Sequence, residues 1–262
     1  MAELIRDLNG KSVKSAYVQA PFDVAKAQLE KAKYSIITPE QFADLRITRG
    51  ADHSVSTNGA YTSMGVVLIP KKGRFLTDSS LVMQNSAEAT QAHREGKEFY
   101  VSNEDAEKIL AGGNVAISYR QSEIPTSRFG DEEITNFVFG ETAKEYGNFL
   151  KEAGINAVPL YLNDEQYVNS QAKPFANQLW LHRLVSDYRS DLDGNDRNLN
   201  CDYAVRGVKS VEPRSGETAS KISVPSYKQI AKYSKQFVPE VARKDFEKGL
   251  EAMFRHKKLS VN

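Results

Sequence analysis

Apolar positions along the chain recur in short stretches of mixed period, so the elements they predict are short and irregularly ordered. Over Pro21 to Lys31, Val24, Leu29 and the alanines share one face at helical spacing, which predicts a helix. Thr38-Pro39-Glu40-Gln41 places a capping threonine, a proline at the first helical position and a glutamine at the third; this predicts a short helix through Leu45. Met64–Ile69 and Phe75–Val82 read as strands paired across the basic turn Lys71-Lys72-Gly73. A helix over Asn103–Ala111 should close at Gly112-Gly113, with a strand Val115–Tyr119 after it. Glu132–Phe139 and Thr142–Glu152 carry helical periodicity, Gly154 ends the second, and Ala157–Leu162 returns to strand.

This order is not an alternation of strand and helix, and it argues for an α+β fold rather than a doubly wound sheet. The character changes after Glu212. Pro213-Arg214-Ser215-Gly216-Glu217 reads as a linker, and Tyr227–Phe237 and Glu240–Phe254 read as helices. From Arg214 to Asn262 there are 11 Lys and Arg against 5 Asp and Glu. The expected organisation is a domain over 1–212 and a basic helical extension over 213–262.

Composition narrows the function classes. Apolar residues make up 40% of the 262 and charged residues 26%, an ordinary balance for a globular core. With 35 Lys and Arg against 34 Asp and Glu, net charge offers no general argument for nucleic acid or an anionic membrane, and a nucleic-acid partner is not expected. No apolar run reaches the roughly 18 residues of a membrane span. The opening Met1-Ala2-Glu3-Leu4-Ile5-Arg6-Asp7 lacks the order of a secretory signal; a cytoplasmic protein, or one exported or packaged by another route, is expected. Cys201 is the only cysteine, so neither an internal disulfide nor a cysteine-based metal site can form.

One segment departs from the rest. Residues 186–203 read Ser-Asp-Tyr-Arg-Ser-Asp-Leu-Asp-Gly-Asn-Asp-Arg-Asn-Leu-Asn-Cys-Asp-Tyr, and fourteen of these eighteen are Asn, Asp, Ser, Tyr, Gly or Cys. The stretch is too polar for a core strand and too poor in helix formers for a helix. It is nevertheless framed by Phe175, Leu179-Trp180-Leu181 and Leu184 before it and by Val205-Arg206-Gly207-Val208 after it, which predicts a structured region held at both ends. Randomised adenines in an asparagine codon reach Asn, Asp, Ser, Tyr, Gly and Cys among others, and never a stop, Lys, Glu, Gln, Met or Trp. Those five types are 57 of the 262 residues and none lies among the eighteen, an absence with roughly a one per cent chance at the chain's own composition.

The spacing of Leu179-Trp180-Leu181, Arg189-Ser190, Leu192, Gly194, Arg197, Leu199 and Val205-Arg206-Gly207-Val208 resembles the variable region of diversity-generating retroelement target proteins, most closely the archaeal branch. The resemblance covers about residues 174–208. It implies a C-type-lectin fold of the formylglycine-generating-enzyme type, in which adenine-directed mutagenesis rewrites side chains displayed to a ligand. By position, the displayed residues would be Asp187, Tyr188, Asp191, Asp193, Asn195, Asp196, Asn198, Asn200, Cys201, Asp202 and Tyr203, with His182 and Val185 at the margin. Trp180, Leu184, Leu192, Leu199, Val205 and Arg206 would be scaffold. The family's variable region usually lies near the C-terminus, whereas about fifty residues follow it here.

The implied activity is non-catalytic recognition of a macromolecule, most naturally a protein, with no cofactor. Tyrosines supply rigid amphipathic area, and Asn and Asp supply adaptable hydrogen bonds. Five aspartates against two arginines favour a basic partner patch. Two other readings compete. Asp191, Asp193, Asn195 and Asp202 stand at positions one, three, five and twelve of a calcium-type loop over 191–202, although Asp196 occupies the glycine position. An enzyme would need a grouping that the sequence does not display: His53, His93, His182 and His256 have no metal-ligand spacing, and one cysteine cannot supply a formylglycine-generating pair. Trp180 is expected to be floor packing beneath the loops rather than a ligand platform.

Overall fold

A computed structural model of the chain describes residues 2–9, 13–184, 192–195 and 198–210. The chain divides into a unit Met1–Val211 and a unit Glu212–Asn262, and the extension expected over 213–262 lies outside the described residues. In the first unit the strands are β1 Leu4–Asn9, β2 Val13–Gln19, β3 Ser35–Ile36, β4 Ala60–Ile69, β5 Gly73–Thr77, β6 Asn114–Ile117, β7 Glu123–Pro125, β8 Ala157–Tyr161, β9 Phe175–Leu181, β10 Leu192–Asp193 and β11 Ala204–Ser210. They join in the order β1-β2-β11-β4-β9-β10-β8-β7, with β3 on β11, and β5 between β4 and β6. The pairing is largely antiparallel; β11 on β4 and β10 on β8 are parallel. Helices lie between the strands, among them α1 Phe22–Lys31 and α2 Pro39–Arg49.

Local signals account for much of this. Thr38 accepts from the Gln41 amide at 3.1 Å while Gln41 accepts from the Thr38 amide at 3.1 Å, so the capping box forms as read. Helix α2 continues past Leu45 to Arg49 because Arg46 turns inward with Phe42, Ala43 and Leu45, and Gly50 at φ 86° stops it. The turn between β4 and β5 forms at Lys71-Lys72-Gly73, with Lys71 and Gly73 both at positive φ. The second strand ends at Thr77 instead of reaching Val82: Ser80 accepts from the Met83 amide at 3.1 Å and caps a short helix Leu81–Gln84. The strand expected to reach Tyr119 stops at Ile117, and the Tyr119 ring lies 4.3 Å from the Arg74 guanidinium. The hairpin β1–β2 and the helices Ser54–Thr57, Ser86–Arg94 and Glu165–Ser170 carry no comparably clear pattern.

Strand β4 is buried on both faces, and its alternate residues enter two cores. Val66 and Leu68 join Phe42, Leu76, Phe175, Leu181 and Leu192 on one face. Tyr61, Val67 and Ile69 join Phe22, Leu29, Leu199 and Val205 on the other. The β4–β9 register shifts between Tyr61 and Gly65, and this irregularity would strand backbone carbonyls. The buried Gln178 amide satisfies them, donating to Thr62 O at 2.5 Å and Met64 O at 2.7 Å while accepting from Ser80 Oγ at 2.7 Å. Among the described residues no helix is long and apolar enough to cross a membrane.

Candidate functional site

The unusual segment joins two central strands, β9 and β11, and its described portions are fastened to the fold residue by residue. At its start, Arg46 Nη2 donates to His182 O at 2.8 Å and the Leu184 amide donates to Ser56 O at 2.7 Å. Leu184 is buried, while His182 is half-buried and lines a small cavity with Arg46, Phe139, Tyr146 and Leu192. The candidates Val185, Asp187, Tyr188 and Asp191 lie outside the described residues, as does Asp196.

Leu192 then enters the sheet, opposite Leu181 of β9 and Leu160 of β8, and is 2% exposed. Gly194 donates to Tyr161 O at 2.8 Å and accepts from the buried Asn177 amide at 2.8 Å. A Cβ there would come within 2.5 Å of Val66 Cγ2 and 2.6 Å of Leu162 Cδ2, so only glycine lets the backbone settle this close to the core. The Asn195 amide donates to Asp193 Oδ1 at 2.8 Å, a local turn that leaves the Asn195 side chain exposed.

Residues 198–203 repeat the logic. The Cys201 amide closes a turn on Asn198 O at 2.9 Å, Leu199 is completely buried, and Asn198, Cys201, Asp202 and Tyr203 are exposed, with Asn200 half-buried. Leu199 O accepts from the Phe22 amide at 2.7 Å. Helix α1 begins at Phe22 and its N-cap, Pro21, offers no side-chain bond, so the segment itself satisfies one of the amides a helix start leaves open. Beneath this turn an aromatic ladder climbs from core to surface: Phe22 to Tyr61 at 5.3 Å, Tyr61 to Trp180 at 4.9 Å and Trp180 to Tyr203 at 5.3 Å between ring centroids. Trp180 packs on the core as expected of floor packing, yet it is half-exposed and also carries the outer Tyr203 ring.

The far end is fixed by Arg206, which is completely buried. Its Nη1 donates to Asp7 Oδ2 at 2.6 Å and to Ser15 Oγ at 2.9 Å, tying β11 to the N-terminal hairpin. Burial pulls this guanidinium's pKa below its ordinary value, and the Asp7 carboxylate opposes the shift. Two anchoring residues were missed by sequence reasoning. Arg46 is 1% exposed and donates to Val55 O at 3.2 Å, Tyr146 Oη at 2.8 Å and His182 O at 2.8 Å; Asn177 holds Gly194. Periodicity marks neither. An arginine inside the apolar stripe of α2 is the one signal that could have exposed Arg46.

Leu192-Asp193 pair in the sheet with β8 and β9, while Asp191 and Asp196 of the calcium-type loop lie outside the described residues. His53 Nδ1 accepts from the Val55 amide at 3.2 Å, a capping role for a short helix. Glu132 precedes the helix Glu133–Phe139 and pairs with Arg128 at 2.6 Å.

No family model and no curated protein matches the chain. A solved structure from Nanoarchaeota, described as accommodating massive sequence variation by the C-type lectin fold, superposes with a TM-score of 0.53. The match covers 78% of this chain and 99% of that one at 16% identity. At that identity the likeness concerns the backbone, and the chain is accordingly a mixed α and β protein of the C-type lectin fold.

Proposed function

We propose that the chain is a non-catalytic recognition protein whose segment 182–203 presents interchangeable side chains to a macromolecular ligand, most naturally a protein, and that a retroelement rewrites those side chains. The observation that carries this reading is the division within 198–203, where Leu199 is completely buried between exposed Asn198 and exposed Cys201, Asp202 and Tyr203. Substitution at the exposed positions leaves the anchors untouched, which is the requirement for diversifying a surface without losing the fold. The Nanoarchaeota protein supports it by analogy, since its backbone is described as accommodating massive sequence variation. Asp193, Asn195, Asn198, Asn200, Cys201, Asp202 and Tyr203 are the described ligand-facing candidates. Asp187, Tyr188, Asp191 and Asp196 complete the set, with His182 and Val185 at its margin. The aspartate excess favours a partner with a basic patch, chiefly through association rate.

The test is genetic. The gene should lie beside a reverse transcriptase and a template repeat that matches codons 180–208 and differs only at template adenines. A locus carrying neither would remove the retroelement from the account. A library randomised at the seven described positions tests the display itself: most members should remain folded and some should be selectable against a protein target. Wholesale loss of folding would defeat it.

A further inference from the structure

The displayed segment occupies one end of β11, and a cleft of about 340 Å³ opens at the other. Five steps of strand lead from Ala204 to Lys209, about 17 Å at the usual rise. Val13, Leu45 and Val208 supply its apolar wall, and Lys33, Lys209 and Asp44 supply charge. Its volume falls in the range of sites for small organic ligands.

Two features of the lysines are hard to explain by folding alone. Lys33 follows α1 at φ 63°, donating to Glu30 O at 2.9 Å while the Tyr34 amide donates to Leu29 O at 2.9 Å. This helix-ending motif favours glycine at that position, because a side chain strains the left-handed backbone. Lysine stands there nonetheless, exposed at the cleft. Lys209 lies directly opposite Lys14 in the antiparallel β2–β11 ladder, where like charges repel. Neither Lys14, Lys33 nor Lys209 has an ion-pair partner among the described residues. Two ammonium groups, Lys33 and Lys209, against the single Asp44 carboxylate leave the cleft positive beside an apolar wall.

We propose that this cleft binds an organic acid, its carboxylate between Lys33 and Lys209 and its apolar stem on Val13, Leu45 and Val208. The same chemistry could arrive as a free small acid or as an acidic, leucine-rich peptide segment of another protein. The site is independent of the display reading, since it shares no side chain with 182–203 and needs no diversification.

Calorimetry on the full chain with octanoate, with octylamine, and with the blocked peptide acetyl-Glu-Leu-Leu-Glu-amide tests it. Octanoate or the peptide should bind, octylamine should bind more weakly, and the tighter of the first two identifies the source. Lys33→Gly is the diagnostic variant, because glycine suits the left-handed position. Its melting temperature should hold or rise while affinity for the bound acid falls by about twofold to fivefold, the effect of one lost exposed charge pair. Lys209→Gln should weaken binding in the same direction. Binding of neither acid, preference for octylamine, or affinity unchanged in both variants would overturn the proposal.

Discussion

Residues 198–203 and the strand that follows them, Ala204–Ser210, are adjacent in sequence and opposite in character. In the first stretch a single side chain, Leu199, is buried, and the backbone closes on itself through the Cys201 amide and Asn198 O. In the second, Val205 stands opposite Tyr61, Arg206 reaches Asp7, and Gly207 lies so near Tyr34 that an added Cβ would be 2.8 Å from its Cβ. In the first stretch the distant ties run through the Leu199 backbone and the Tyr203 ring, whereas along the strand one residue after another is committed to a partner on another element. Tolerance to substitution should therefore change abruptly at residue 204.

The sharpest way to break this contrast is Arg206→Met. It strands the Asp7 carboxylate in the interior, and urea unfolding should show a loss of about 3–5 kcal/mol. Leu199→Ala comes next: although it sits in the polar stretch, it should cost on the order of 2–5 kcal/mol, because the cavity forms in a packed core. Gly194→Ala should follow at about 1–3 kcal/mol, from a Cβ driven against Val66 and Leu162. At the small end, Asn198→Ala and Asp202→Ala should each shift stability by about 0.5 kcal/mol or less. If the last pair costs as much as Leu199→Ala, the distinction between anchor and displayed position fails. If they are neutral to folding yet change selection against a protein target, it is sharpened into a functional one.

Much of this was legible in the chain. Thr38 and Gln41 declared their helix because a capping box is complete within four residues. The compositional break at 186–203 and the leucines within it marked the segment and its inward anchors, since burial of a lone apolar residue in a polar stretch follows from elementary solvation. Ser80 marks where the local pattern misleads. Apolar residues through Val82 looked like one strand, and the serine in their midst was in fact a cap.

By itself, then, the sequence determined the local features: capped helices, glycine stops, the turn at Lys71-Lys72-Gly73, and a polar segment studded with buried leucines. Tertiary structure alone decided which distant groups complete it. Arg46 reaches His182 across 136 positions of chain and Arg206 reaches Asp7 across 199. The cleft between Lys33 and Lys209 exists only once β11 lies beside β3. A cap or a turn is closed by neighbours whose spacing is written in the chain. A buried guanidinium takes whatever acceptor the fold brings to it, and no short stretch of sequence encodes that meeting.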